Sequence, residues 1–121
     1  MSATKKASAP ADKVALYEKL VATNPKIECK GATHPYTSLN GNMFSYLHPS
    51  GSMALRLPPG EREEFLNKYK TTLFEAYGVV QKEYVRVPDS LLSKTKEMQK
   101  YFDISYRYAA TLRPKATRKK T

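Results

Sequence analysis

The sequence predicts an α+β fold, in which a small antiparallel β-sheet built on a central hairpin packs with N-terminal, middle and C-terminal helices. Three observations lead to this prediction. Residues 42–57 alternate between apolar and polar side chains on both sides of a turn-forming run, residues 48–51, and such alternation is typical of a β-hairpin. Residues 79–87 alternate in the same way. Apolar residues also recur at helical spacing before and after these segments.

The turn of the predicted hairpin contains a proline and a glycine, which supply turn geometry. On its second arm, Met53, Leu55 and Leu57 share one face, and we expect Leu55 to be almost fully buried. The predicted faces of the first arm are Met43, Ser45 and Leu47 against Phe44 and Tyr46. Because both faces carry apolar bulk, the hairpin is predicted to lie at the centre of the sheet, covered on both sides.

Before the hairpin, the chain predicts one helix and one ambiguous segment. Asp12 is a suitable N-cap, apolar residues follow at helical spacing, and Asn24-Pro25 ends the helix. In residues 26–38, two apolar side chains first alternate with charged ones, and glycine and proline then break the pattern. This segment is therefore either an edge strand or an ordered loop.

After the hairpin, a helix is predicted from Glu61, with acidic residues in its first turn, where the helix dipole favours negative charge. Its expected buried face consists of Phe65, Leu66 and Tyr69. Residues 73–77 are interpreted as a mixed linker that includes a short extended piece. The alternating strand of residues 79–87 then follows.

The last predicted element is a long helix that begins near Thr95 and ends before Pro114. A short helical turn at Leu91 and Leu92 precedes it. One stripe of the long helix consists of Met98, Phe102, Ser105, Ala109 and Leu112. With the preceding elements, this helix completes one α+β domain.

The charge is concentrated in two predicted tails. The chain has a formal charge of +10 from 21 cations and 11 acids. Residues 1–11 form a flexible basic tail in this interpretation, and residues 113–121 a disordered basic one. Seven cations and no acid lie in these tails, so the single domain, residues 12–112, keeps fourteen cations against eleven acids.

The composition predicts a cytoplasmic protein with no membrane partner. There is no run of about eighteen apolar residues that could span a bilayer, and the first residues lack the apolar region of a secretory signal. The single cysteine, Cys29, cannot form an internal disulfide, which fits a reducing compartment.

Several short strings resemble a known family. The runs Asn40-Gly41-Asn42-Met43-Phe44, Leu55-Arg56-Leu57 and Tyr84-Val85-Arg86-Val87-Pro88 resemble the N-terminal domain of the TfoX competence regulator, and Ser105-Tyr106 with Leu112-Arg113-Pro114-Lys115 is similar to the MmcQ/YjbR family. The resemblance implies a compact α+β fold without catalytic residues and, in the MmcQ/YjbR branch, a double-wing DNA-binding shape. Residues 33–36 depart from it, since TfoX domains have Met-Phe-Gly-Gly there. The C-terminal regulator domain of full-length TfoX has no counterpart in residues 1–121, so its competence role is not carried over.

We expect no catalytic residue, no cofactor and no metal site. Cys29, His34 and His48, with Glu28, are the only candidates for a metal cluster. The spacing of Cys29 and His34 fits no standard ligand pattern, and both histidines precede prolines, so a core cysteine and two loop histidines are the favoured interpretation. The glycines are isolated at predicted turns and form no phosphate-binding loop.

Two functions remain open from the sequence. The first is a protein-interaction or ligand-binding module without enzymatic activity. The alternative is a nucleic-acid-binding protein that uses its basic tails and a double-wing-like sheet surface, with exposed tyrosines available to stack on bases. The cations predicted to meet phosphate are Arg113, Lys115, Arg118, Lys119 and Lys120 in the tail and Arg56, Lys82 and Arg86 on the sheet.

Overall fold

A computed structural model describes residues 9–31, 35–76 and 78–112. Within these residues the elements, in chain order, are α1 Ala11–Val21, β1 Tyr36–Leu39, β2 Asn42–Leu47, β3 Met53–Arg56, α2 Pro59–Tyr69, β4 Leu73–Ala76, β5 Val79–Val87, α3 Asp89–Leu92 and α4 Thr95–Thr111. The strands form one five-stranded sheet in the order β1-β2-β3-β5-β4, and every pairing is antiparallel. The predicted α+β class is confirmed.

The predicted hairpin is formed by β2 and β3, and β3 is the central strand of the sheet. Leu47 pairs with Met53 at the end of the ladder. The turn is closed by the backbone amide of His48, which donates to the carbonyl of Ser52 at 2.8 Å. Leu55 is fully buried, as expected. Both the central position of the hairpin and the burial of Leu55 are therefore confirmed.

A second hairpin joins β1 to β2 through Asn40 and Gly41. Both residues have positive φ, 55° and 81°, which is the backbone of the turn that Asn-Gly pairs favour between strands. The ambiguous segment 26–38 thus ends in an edge strand, β1. Before that strand, Lys30 forms an isolated bridge with Tyr36.

A β-bulge corrects the predicted faces of β2. Thr37 pairs with Ser45, but the next residue of β1, Ser38, pairs with Met43, so Phe44 is the extra residue on β2. Two successive residues, Phe44 and Ser45, therefore point toward the helices. The ring of Phe44 packs 5.7 Å from that of Phe102, between ring centroids. The prediction that Phe44 shares a face with Tyr46 was wrong because strict alternation ends at a bulge.

The helices cover one face of the sheet, which we call the helix face. Its buried members are Phe44, Leu47, Met53, Leu55, Val85 and Val87. From α4, Met98, Phe102, Ser105 and Ala109 are buried as the predicted stripe requires, whereas Leu112 is only half-buried. On α2, Phe65 is buried, but Leu66 and Tyr69 are half-buried at the rim of the core.

The region predicted as a linker, residues 73–77, contains strand β4, which pairs with β5. The register slips between Leu73 and Phe74, whose partners are Val85 and Gln81, so residues 82–84 of β5 have no partner on β4. The ring of Phe74 consequently lies 5.5 Å from that of Tyr46 on β2, although β3 and β5 stand between their strands. The β4–β5 hairpin therefore folds over the second face of the sheet.

We call this second surface the hairpin face and define it by Tyr46, Ala54, Phe74, Ala76 and Tyr84. The central hairpin is thus covered on both sides, by helices on one and by the β4–β5 hairpin on the other. The sequence pattern of residues 73–77 was too short to predict this cover, because the pairing that makes them a strand comes from β5.

Candidate binding site: the hairpin cleft

A cleft of about 290 Å³ lies between β2, with the turn that follows it, and the β4–β5 hairpin. We call it the hairpin cleft. Its lining residues are Tyr36, Met43, Tyr46, Leu47, His48, Pro49, Ala76 and Gln81. This volume lies near the lower end of the range of small-molecule pockets, roughly 300–1,000 Å³. The cleft is therefore large enough for one ring or one large apolar side chain.

Aromatic packing holds the two walls of the cleft together. The ring of Phe74 lies 5.5 Å from that of Tyr46 and 5.6 Å from that of His48. The hydroxyl of Tyr46 donates a 2.5 Å hydrogen bond to Oε1 of Gln81. Tyr46 and His48 belong to β2 and the turn after it, whereas Phe74 and Gln81 belong to the β4–β5 hairpin. Because these contacts join the two walls, the walls are positioned before any ligand arrives.

The cleft offers a small number of placed polar groups. Oε1 of Gln81 is occupied by Tyr46, and within the described part of the chain neither the Gln81 amide nitrogen nor the Tyr36 hydroxyl has a hydrogen-bond partner. The amide nitrogen of Gln81 can therefore donate to a ligand. At the rim, Nδ1 of His48 accepts from the backbone N–H of Ser50 at 3.1 Å, a local bond that stabilises the turn.

Among the residues that the structure describes, none of those that line the cleft is Lys, Arg, Asp or Glu. This neutrality contrasts with the whole chain, of which 26% is charged and whose formal charge is +10. A phosphate or carboxylate group would meet no lysine or arginine among these described residues. The lining is suited to a neutral, mainly apolar group.

Exposed apolar surface adjoins the cleft. Val79 and Val80 are 61% and 49% exposed, and among the described residues they are the exposed large hydrophobic side chains. They stand next to Gln81 in the chain and pair with Ala76 and Glu75 of β4. The apolar surface thus continues from the cleft onto the tip of the β4–β5 hairpin.

Of the basic residues predicted on the sheet, Arg56 is already engaged. Its Nε donates to Oε1 of Glu83 at 2.6 Å, and its guanidinium lies 5.7 Å from the centre of the Tyr84 ring. The Arg56 side chain is only 19% exposed. Its charge is therefore largely balanced by Glu83 and poorly placed to meet a phosphate.

Lys82 and Arg86 are exposed. Lys82 lines a shallow depression together with Arg56 and Glu83, and Arg86 is not part of that lining. The structure thus does not gather the three predicted cations into one site. The tail cations Arg113, Lys115, Arg118, Lys119 and Lys120 lie outside the described residues.

The metal-ligand candidates do not form a cluster within the described ranges. No three His, Cys, Asp or Glu side chains come together there, and His34 lies outside those ranges. Burial raises the pKa of the half-buried Cys29 thiol, and the nearby Glu18 carboxylate raises it further. This shift keeps the thiol protonated, which lowers its reactivity.

A chain of hydroxyls on the helix face has a structural explanation. The hydroxyl of Tyr17 lies 2.7 Å from Oγ of Ser45, which lies 2.5 Å from Oγ1 of Thr37. All three side chains are buried. Burial raises the pKa of Tyr17 above its ordinary value, and the hydrogen bonds to Ser45 and Thr37 oppose that shift. The three groups satisfy one another where water is absent.

Sequence analysis did not identify Tyr36, Ala76 and Gln81 as site residues. One feature of the sequence did point to this site. Two adjacent apolar residues, Val79 and Val80, follow Gly78, and an apolar pair of this kind is unusual at the solvent-exposed tip of a hairpin. None of the helices in the described ranges is long and apolar enough to span a membrane.

Comparisons of the chain with family models, with curated proteins and with solved structures find no match. The resemblance to the TfoX N-terminal and MmcQ/YjbR families accordingly stays a prediction from short sequence strings.

Proposed function

We propose that this protein is a non-enzymatic binding module and that the hairpin cleft receives a neutral, apolar group of its partner or ligand. The observation that carries the proposal is that the described residues of the cleft lining include no Lys, Arg, Asp or Glu, in a chain with formal charge +10. Interface cores and ligand pockets share this composition, since they are depleted of charge and enriched in aromatic residues.

The contacts around the cleft support binding more than catalysis. The Tyr46 hydroxyl bonds to Gln81, and Nδ1 of His48 accepts from the backbone of its own turn. These groups hold the cleft in shape. A hydrolytic site would require a nucleophile next to a base that is itself oriented by a third group, and the His48–Ser50 contact is local to an exposed turn.

Fragment binding followed by ¹⁵N NMR tests the proposal. Indole and benzamide serve as neutral aromatic probes, and phenyl phosphate serves as the charged probe of similar size. We expect the neutral probes to shift the backbone amides of His48, Ala76 and Gln81, and phenyl phosphate to leave them unchanged. Binding of the neutral probes elsewhere, or equal binding of phenyl phosphate in the cleft, would overturn the proposal.

A variant pair sharpens this experiment. Met43 is half-buried in the cleft lining, so Met43→Glu places a charge inside the cleft. We expect it to weaken neutral-probe binding about tenfold or more, because the carboxylate must lose water when an apolar group enters. Asn67→Glu adds the same charge at an exposed position of α2 and serves as the control.

Nucleic-acid binding is the second candidate. The favouring observation is the charge distribution, because residues 113–121 carry five cations and no acid. Lysine and arginine side chains can meet phosphates without reading bases. On the described sheet, the engagement of Arg56 by Glu83 weakens the double-wing alternative.

A further inference from the structure

The two edge strands of the sheet, β1 and β4, differ in whether their outer backbone groups are paired. At the β1 edge, the backbone amide of Lys30 donates to the carbonyl of Tyr36 at 2.8 Å, and the Tyr36 amide donates to the Lys30 carbonyl at 2.9 Å. Nζ of Lys30 also donates to Oγ of Ser38 at 3.2 Å. Backbone pairing and a lysine are both common ways to protect an edge. The β1 edge is therefore covered.

The β4 edge has no such cover within the described residues. β4 is the last strand of the sheet, its ladder is made with β5, and no backbone bond between residues of the described ranges covers its outer side. Ala76, at the end of this strand, also lines the hairpin cleft. An open strand edge, a neutral cleft and two exposed valines thus meet at one place.

Three exposed cations lie at the other end of β4. Lys70 precedes the strand, Lys82 lies in the part of β5 that β4 leaves unpaired, and the backbone amide of Arg86 bonds to the carbonyl of Thr72. The strand therefore runs from a basic end near Leu73, past the exposed Glu75, to an apolar end at Ala76.

We infer that the partner of this surface is an acidic peptide segment, which adds to β4 as a sixth strand and places an apolar side chain in the hairpin cleft. The inference rests on the proposed function of the cleft and names its partner. Strand addition supplies sequence-independent backbone hydrogen bonds, and the pocket for a side chain supplies specificity. Acidic residues beyond the paired segment would lie beside Lys70, Lys82 and Arg86.

A second copy of this chain fits the same edge poorly. Each copy has a formal charge of +10, so two copies repel one another at ordinary ionic strength. Antiparallel pairing of β4 with its own copy in the register centred on Glu75 would also place the two Glu75 side chains directly opposite each other. Charge complementarity thus favours an acidic partner over self-association.

Selection of peptides from a random display library against the full chain tests the inference. We expect enriched peptides to contain a short run of β-branched or aromatic residues flanked by Asp or Glu. Enrichment of basic peptides, or no enrichment over the bare support, would overturn the assignment. Oligomerisation of the chain by itself, seen by analytical ultracentrifugation, would also overturn it in favour of a second copy.

Backbone methylation separates strand addition from side-chain binding. Two versions of an enriched peptide are synthesised, each N-methylated at alternate residues in one of the two possible phases. A strand donates only every second N–H to its neighbour, so one phase should weaken binding about tenfold or more and the other should not. Equal effects of the two phases would overturn the strand-addition geometry.

A matched pair of lysine variants tests the charge. Lys82→Glu should weaken binding of the enriched peptide about tenfold, whereas Lys96→Glu, at an exposed position of α4, should change it less than about twofold. If indole binds the cleft but no acidic peptide is enriched, the partner assignment fails and the proposed function stands. If indole does not bind either, both fail.

Discussion

The helix face and the hairpin face of the same sheet are built in opposite ways. The helix face buries large aliphatic and aromatic side chains under α1, α2 and α4. The hairpin face consists of two small residues, Ala54 and Ala76, and three aromatic residues, Tyr46, Phe74 and Tyr84, of which Phe74 belongs to β4. The comparison indicates that one face supplies most of the stability. The other has a much smaller buried cluster and borders the hairpin cleft.

The largest expected effect concerns the helix face. Leu55→Ala should lower the free energy of unfolding by about 2–5 kcal/mol, because it removes buried methyl groups and leaves a cavity under the helices. Denaturant unfolding followed by circular dichroism measures this change. Val80→Ala is the control on the hairpin side, where an exposed position should change stability by less than about 0.5 kcal/mol. Equal effects of the two variants would contradict the comparison.

The next effect is a loss of stability at high pH. Burial raises the pKa of Tyr17 above its ordinary value of 10.0, so the folded state holds a proton that the unfolded state releases. The contribution of Tyr17 to the free energy of unfolding is therefore fully present below about pH 10. As the pH rises further, it falls by up to about 1.4 kcal/mol per pH unit for each such tyrosine. Urea unfolding at several pH values above 9 measures the slope.

Two tyrosine variants relate this slope to the two faces. Burial also raises the pKa of Tyr84, but the Arg56 guanidinium opposes that shift. Tyr17→Phe should therefore flatten the slope more than Tyr84→Phe does. If Tyr84→Phe had the larger effect, the hairpin face would be the more strongly desolvated of the two.

A smaller effect concerns the contact that joins the cleft walls. Gln81→Ala removes the acceptor of the Tyr46 hydroxyl and should lower the free energy of unfolding by about 0.5–1.5 kcal/mol. Hydrogen exchange should accelerate at Val79 and Val80 and stay unchanged at Leu55, since only the β4–β5 hairpin loosens. Gln99→Ala on α4 is the control, because within the described residues its amide makes no side-chain hydrogen bond. Uniform acceleration across the sheet would contradict a separable hairpin.

The last prediction concerns nucleic-acid binding, and we expect no change in stability from the deletion that tests it. Deleting residues 113–121 should flatten the slope of log K against log salt for duplex DNA by up to about 0.9 for each cation that meets a phosphate. Electrophoretic mobility shift at several salt concentrations measures this slope. Undiminished binding by the shortened chain would place the site on the sheet, around Arg56, Lys82 and Arg86. The hairpin face would then carry charge recognition as well.

The sequence by itself determined the α+β class, the central β2–β3 hairpin and strand β5 with its observed bounds. It could do so because these elements carry local signals, namely alternation around Pro49 and Gly51 and a helical stripe from Met98 to Ala109. Burial of Leu55 followed from the same alternation. Tail charge is also a property of sequence alone.

Only the tertiary structure decided the faces of β2 and the location of the cleft. The bulge at Phe44 reverses part of the predicted pattern, because pairing with β1 leaves one residue of β2 over. The slip between β4 and β5 brings Phe74 and Gln81 to Tyr46 on β2, residues separated by about thirty positions in the chain. No local sequence pattern encodes a contact between strands that are not neighbours in the sheet. The cleft therefore forms only when the β4–β5 hairpin has folded over the sheet.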